Sequence, residues 1–337
     1  MSRCIVFVEL DHPPDEVLVP GQVVTGSVEV SVLLDVRCNG LNVGVQWQTH
    51  GRGVASRGPL VPTELFKGEW KAGQDLSFPF ELTVPRGPST YEGTLVNIGW
   101  FISATANIPW ALDVHAWEEV LVDASATDPF DNGPGFVHGL QAETPGQQVL
   151  TLLGGLIGAG FSVTVGVAMG EWIGLSMMLP MFVVGSYFVW SSVSKRLART
   201  KLGEVDLELI GDPVPGGAVD LLLHFNPHAD VEVQYINTQL TWREEAISSD
   251  GTNQTTHQET IFEDYYEQPG RPVAAGERAV FSQTLHIPAH AGPCFAAGAN
   301  KVIWAAKVTL AVASWPDWVG TIWLPVRPAR PSAGAAR

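Results

Sequence analysis

Residues 72–87 read AGQDLSFPFELTVPRG. Phe78, Phe80, Leu82 and Val84 alternate with Ser77, Pro79, Glu81 and Thr83. That period of two is the pattern of a strand with one buried face. Val28, Val30 and Val32 alternate likewise with Glu29 and Ser31. Gly- and Pro-rich breaks (PGQ, NG, RGP, GPG) punctuate such segments, and neither flank of the chain shows an amphipathic helix of convincing length. Short alternating strands between turn residues predict an all-β fold built from sandwiches.

The same stretch recurs. AGERAVFSQTLHIPAH at 275–290 aligns with it without gaps, placing Phe281 on Phe78, Leu285 on Leu82, Ile287 on Val84 and Pro288 on Pro85. Trp304 answers to Trp100, and Trp315 with Asp317 roughly to Trp110 with Asp113. Near the start of each half, VPGGAVDLLLHF at 214–225 parallels VPGQVVTGSVEV at 19–30. Chance explains aligned apolar alternation but hardly the same glycines, prolines and tryptophans in the same order, so the chain reads as two copies of one unit. The expected organisation is an N-terminal β-sandwich at 1–123, a Gly-, Pro- and Asp-rich linker at 124–148, and a second sandwich at 204–327 with a disordered tail at 328–337.

Between the copies lies the apolar excess of the chain. Only 16% of its 337 residues are charged, against roughly 25% in ordinary soluble proteins. VLTLLGGLIGAGFSVTVGVAMGEWIGLSMMLPMFVVGSYFVWSS, from Val149, has Glu171 as its only charge. It supplies two lengths of about 20 residues, the requirement for crossing a bilayer as a helix. A two-helix transmembrane hairpin at 149–169 and 173–193 is the expectation, with Gly170, Glu171 and Trp172 at its tip and Pro180 kinking the second helix. The alternative is a buried helix pair in a soluble core, which at this length would ordinarily carry a polar face. Gly154, Gly158, Ser162, Gly166 and Gly170 recur every four residues as a small-residue ridge. Such a ridge packs helix on helix, within the hairpin or between copies of the chain. Lys195, Arg196, Arg199 and Lys201 follow in the segment 194–203, and by the positive-inside rule they place both lobes on the cytoplasmic side of an inner or plasma membrane. They also sit where they could touch anionic lipid.

A family resemblance rests on Pro20-Gly21, Phe78-Pro79-Phe80, Pro85, Tyr91-Glu92-Gly93, and Trp110 with Asp113, spread over about residues 5–122. In that order they resemble the N-terminal domain of arrestins, α-arrestins most closely. The resemblance implies two immunoglobulin-type sandwiches and a non-catalytic adaptor or scaffold that binds proteins at the membrane face. The alternative is an accessory or ligand-binding subunit docked into a larger membrane transport complex through the hairpin. Two family features are missing. The first 146 residues hold seven basic against eighteen acidic side chains, poorly suited to phosphate. The PPxY motif is also absent, since Pro13-Pro14 is followed by Asp15-Glu16.

Charge excludes a further class. A formal net charge of −16 disfavours nucleic acid as a partner. Cys4, Cys38 and Cys294 form neither a disulfide framework nor a zinc pattern. His224/His228 and His286/His290 read as surface or strand-edge histidines, and no nucleophile elbow, HExxH or phosphate loop occurs. The run Glu263-Asp264-Tyr265-Tyr266-Glu267 reads as a solvated loop that could face a basic partner. The expectation is therefore no catalytic residue, no metal and no cofactor, with the bilayer and an unidentified protein as partners.

Overall fold

The computed structural model describes residues 3–13, 15–109, 113–123, 200–251 and 253–328. The first half contributes β1 (Cys4–Leu10), β2 (Val17–Leu18), β3 (Val23–Val32), β4 (Val36–Gly51), β5 (Thr63–Trp70), β6 (Asp75–Thr83), β7 (Val96–Asn107) and β8 (Val114–Val122). The second contributes β9 (Val205–Ile210), β10 (Ala218–Phe225), β11 (Val231–Asp250), β12 (Asn253–Pro269), β13 (Pro272–Val273), β14 (Ala279–His286), β15 (Phe295–Ala297), β16 (Asn300–Val312) and β17 (Trp318–Trp323).

Each half packs a three-stranded sheet against a larger one. The small sheets run β1-β3-β6 and β9-β10-β14, and the large ones contain β5-β4-β7-β8 and β12-β11-β16-β17 in the same relative order. Alternation explains why these segments pair: Val24, Val28, Val30 and Val32 of β3 point inward, as do Val219, Leu221, Leu223 and Phe225 of β10. A strand with one apolar face gains most when a second sheet covers that face. Phe78 of β6 reaches across to pack at a tilt against Phe66 and Trp70 of β5.

The aligned residues occupy equivalent places. Gly21 donates its N–H to Val84 O at 2.8 Å and Gly216 donates to Ile287 O at 3.1 Å, fastening the start of each half to its β6 or β14. Trp100 of β7 and Trp304 of β16 are both fully buried. Each donates its indole N–H to a carbonyl twelve residues upstream, Pro88 at 2.8 Å and Gly292 at 2.9 Å. A buried indole needs such an acceptor, and both halves meet the need identically.

The expectation of immunoglobulin-type sandwiches joined by a transmembrane hairpin is corrected. The structure is an all-β assembly of four sheets, with helix confined to residues 200–202 among the described residues. No helix among them is long and apolar enough to cross a membrane. The spans 149–169 and 173–193, the ridge Gly154, Gly158, Ser162, Gly166 and Gly170, and Lys195, Arg196 and Arg199 lie outside the described residues. The two-span topology, its lipid and membrane partners and the cytoplasmic placement of the lobes thus have no support in the fold. The physical reason is that an apolar run shows which side chains avoid water, not what covers them. Lys201, read as a membrane-flanking cation, instead sits 4.8 Å over the ring of Trp315.

Candidate functional site

The site grows from the shared end of β4 and β7, where the antiparallel pair closes at His50↔Asn97 and Gly51↔Val96. Residues 90–97 fold back over that end. Tyr91 and Ile98 exchange two backbone hydrogen bonds of 3.0 and 2.8 Å, and Gly93 donates its N–H to Asn97 Oδ1 at 2.8 Å. Thr90 is tied to Val122 by a backbone bond of 2.8 Å and by its hydroxyl, which accepts from Val122 N at 2.9 Å. The turn is therefore pinned to both β7 and β8.

Its outer side walls a groove of about 770 Å³. Asp15, His50 and Glu119 line it with residues 90–93 and 97–99, and Leu121 adds an apolar edge. Asp15, Glu92 and Glu119 are exposed carboxylates, and none makes an ion pair among the described residues. No Lys or Arg lines the groove. Beside it, His50 meets Phe101 edge-on at 5.3 Å, and Phe101 meets Trp117 edge-on at 5.4 Å. Trp117 is 63% exposed and offers its ring to solvent. Carboxylates next to open aromatic faces attract cations through Coulomb and cation–π terms together.

The inner side of the same turn receives a residue from the second half. Glu244 of β11 is fully buried. Its Oε1 accepts from Tyr91 Oη–H at 2.5 Å and Thr94 N–H at 3.2 Å, and its Oε2 accepts from Leu95 N–H at 2.5 Å and Val96 N–H at 2.9 Å. Burying a carboxylate costs several kcal/mol unless its lone pairs are met, and here four donors meet them. Gly93 makes this approach possible, because a Cβ there would strike Glu244 Oε1. A Cβ on Gly292 would likewise strike the Tyr91 ring. Farther along the seam, buried Asn300 donates Nδ2–H to Thr49 Oγ1 at 3.0 Å and Val54 O at 2.7 Å. Ser56 Oγ–H donates to Ala297 O at 3.0 Å, Val54 N–H to Ile247 O at 2.9 Å, and Trp47 packs edge-on against Phe295.

Burial first, and then the Glu244 carboxylate, push the Tyr91 phenol well above the usual tyrosine range. A group held protonated in the fold but free to ionise in the unfolded chain stabilises below its unfolded pKa, about 10. That contribution is lost as pH rises past it toward the folded value. Stability is expected to fall above about pH 10, and Tyr91→Phe to flatten that part of the denaturation-versus-pH curve.

Of the motif residues, the structure brings Tyr91 and Gly93 to the groove and seam. Phe78 and Phe80 pack in the first core, Pro79 faces outward, Pro20, Gly21 and Pro85 shape the β3/β6 end, and Asp113 is exposed. Trp110 lies outside the described residues. The run 263–267 is strand, not loop, on β12. Glu263 accepts from Gln239 and, at 2.7 Å, from Tyr265, which holds its carboxyl below the usual range. His224 faces Asp206 at 3.5 Å, and no group of His, Cys, Asp and Glu suited to a metal occurs among the described residues. Burial pushes the Cys294 thiol up to about 12. Sequence reading missed Glu244 and Asn300. The available signal was phase: Leu240, Trp242, Glu244 and Ala246 share the inward face of β11, and only one of them is charged.

No family model matches the chain, and no curated protein matches it. Among solved structures it is similar to Spo0M, a sporulation control protein from Bacillus subtilis, at 12% identity. The alignment covers 84% of this chain and 91% of that one, with a TM-score of 0.30, a likeness too slight to carry an argument about function. The arrestin-like recognition is corrected with the fold: no family model supports it. The membrane-anchored adaptor and the membrane-complex subunit are corrected too, since no helix among the described residues is long and apolar enough to cross a membrane.

Proposed function

We propose that the chain acts by binding rather than catalysis, and that the groove at the β4/β7 end takes a guanidinium or ammonium group carried on a basic peptide segment. The observation that carries this reading is the groove's lining: Asp15, Glu92 and Glu119 with no cation paired to them among the described residues. The exposed ring of Trp117 beside it suits an arginine plane. The acidic balance of the first lobe adds long-range attraction that speeds encounter with such a segment.

The test is titration of a short arginine-bearing peptide into the full chain, with Asp15→Asn, Glu92→Gln and Glu119→Gln singly and together. Exposed ion pairs contribute about 0.2–1 kcal/mol each. Each single variant is thus expected to weaken binding about threefold and the triple variant about thirtyfold. Raising salt from about 0.05 to 0.5 M should weaken the wild type but hardly the triple variant. Equal affinity for a glutamate-bearing peptide would sink the reading.

A further inference from the structure

The turn at 90–97 has two faces, and they belong to different sites. Outward, Thr90, Tyr91, Glu92, Gly93, Asn97 and Ile98 wall the groove. Inward, the phenol of Tyr91 and the N–H groups of Thr94, Leu95 and Val96 all converge on one carboxylate from β11. Leu95 and Val96 are buried, and their N–H groups both point at Glu244 Oε2. Without the carboxylate, the buried N–H groups of Leu95 and Val96 lose this acceptor, and the turn must rearrange to reach water. Rearrangement would move the backbone of half the groove wall, since Tyr91–Ile98 pairing and the Gly93–Asn97 bond lie within the same eight residues.

We propose that Glu244, supplied by the second lobe, is the positioning residue of the first-lobe groove, so that the site takes its shape only when the lobes are docked. This rests on the groove being a binding site. It goes beyond that reading by making the second lobe a structural part of it. The Glu244 contact with the turn and ligand binding then become linked in both directions: whatever favours one favours the other. Asn300 provides the contrast, because it joins the lobes through Thr49 and Val54 without touching the turn.

The experiment compares amide hydrogen exchange and peptide affinity in full-length wild type, Glu244→Gln, Glu244→Asp and Asn300→Ala. The informative amides are Tyr91, Gly93 and Ile98, whose acceptors are not Glu244. In Glu244→Gln they are expected to exchange about tenfold faster or more, with a matching loss of peptide affinity of about tenfold. Glu244→Asp, which keeps the charge on a shorter stem, should fall between; it also serves if the Gln variant does not fold. In Asn300→Ala the same amides and the affinity should stay within about twofold of wild type. Unchanged exchange at Tyr91, Gly93 and Ile98 in both Glu244 variants would overturn the proposal, as would an equal effect of Asn300→Ala. If the wild type binds no basic peptide yet Glu244→Gln frees these amides, the binding reading fails and the positioning role stands. If the wild type binds and the Glu244 variants bind equally, the positioning role fails alone.

Discussion

Glu244→Leu is expected to lower the stability of the whole chain by about 3–5 kcal/mol, since each buried donor left without an acceptor costs about 1–3 kcal/mol. The reasoning is geometric. Three backbone N–H groups and a phenol point at the two oxygens of one buried carboxylate. Replacing an oxygen with NH₂ sets donor against donor at Oε2, where Leu95 and Val96 converge, or at Oε1, where Tyr91 and Thr94 do. In Glu244→Gln the second orientation is the milder, because the Tyr91 hydroxyl can turn to accept from the NH₂ and only Thr94 N–H loses its acceptor. Glu244→Gln is therefore expected to cost about 1–3 kcal/mol, and Glu244→Leu more, because it removes all four acceptor contacts while Leu95 and Val96 stay buried. Calorimetry should show a midpoint lowered by on the order of 10 °C. It should also show a transition that separates into two as the lobes uncouple.

Trp304→Ala is expected to cost about 3–5 kcal/mol, the usual range for removing a large buried aromatic. Trp304 is fully buried, stacked on Trp242 at 5.3 Å and tilted against Phe262 at 6.0 Å. Its N–H also meets Gly292 O at 2.9 Å. Three losses therefore coincide: apolar burial, ring stacking and the partner of a buried carbonyl. Trp304→Phe keeps most of the packing and isolates the hydrogen bond, so it should cost about 1–2 kcal/mol. Because Trp100 sits in the equivalent place with the equivalent bond to Pro88, Trp100→Ala should cost a similar amount in the first lobe. Urea unfolding of the three variants checks this, and a Trp304→Ala protein as stable as wild type would refute the packing account.

The strands were legible because their physics is local. The alternation at 77–84 falls on β6, and the two gapless copies of AG…P mark turns that hydrogen-bond in the same way. The apolar run at 149–193 misled because hydropathy is also local and names no neighbour. The groove was not legible for the opposite reason. Asp15, His50, Glu92 and Glu119 lie tens of residues apart and meet only through the β4-β7-β8 register and the fold-back of 90–97. Glu244 stands between these cases. Its inward phase between Trp242 and Ala246 marks it as anomalous, but its partners lie about 150 residues upstream. No spacing rule connects them. A charged residue on the buried phase of a strand in a two-lobed chain is thus a reason to look for a seam.

Amide chemical-shift mapping of the full chain, titrated with an arginine-bearing peptide at low salt, tests the central claim most directly. The account predicts shifts concentrated at His50, residues 90–93 and 97–99, and Glu119 to Leu121, saturating together and absent with a glutamate-bearing peptide. Shifts confined to the acidic strand β12, or none above background at the groove, would contradict it.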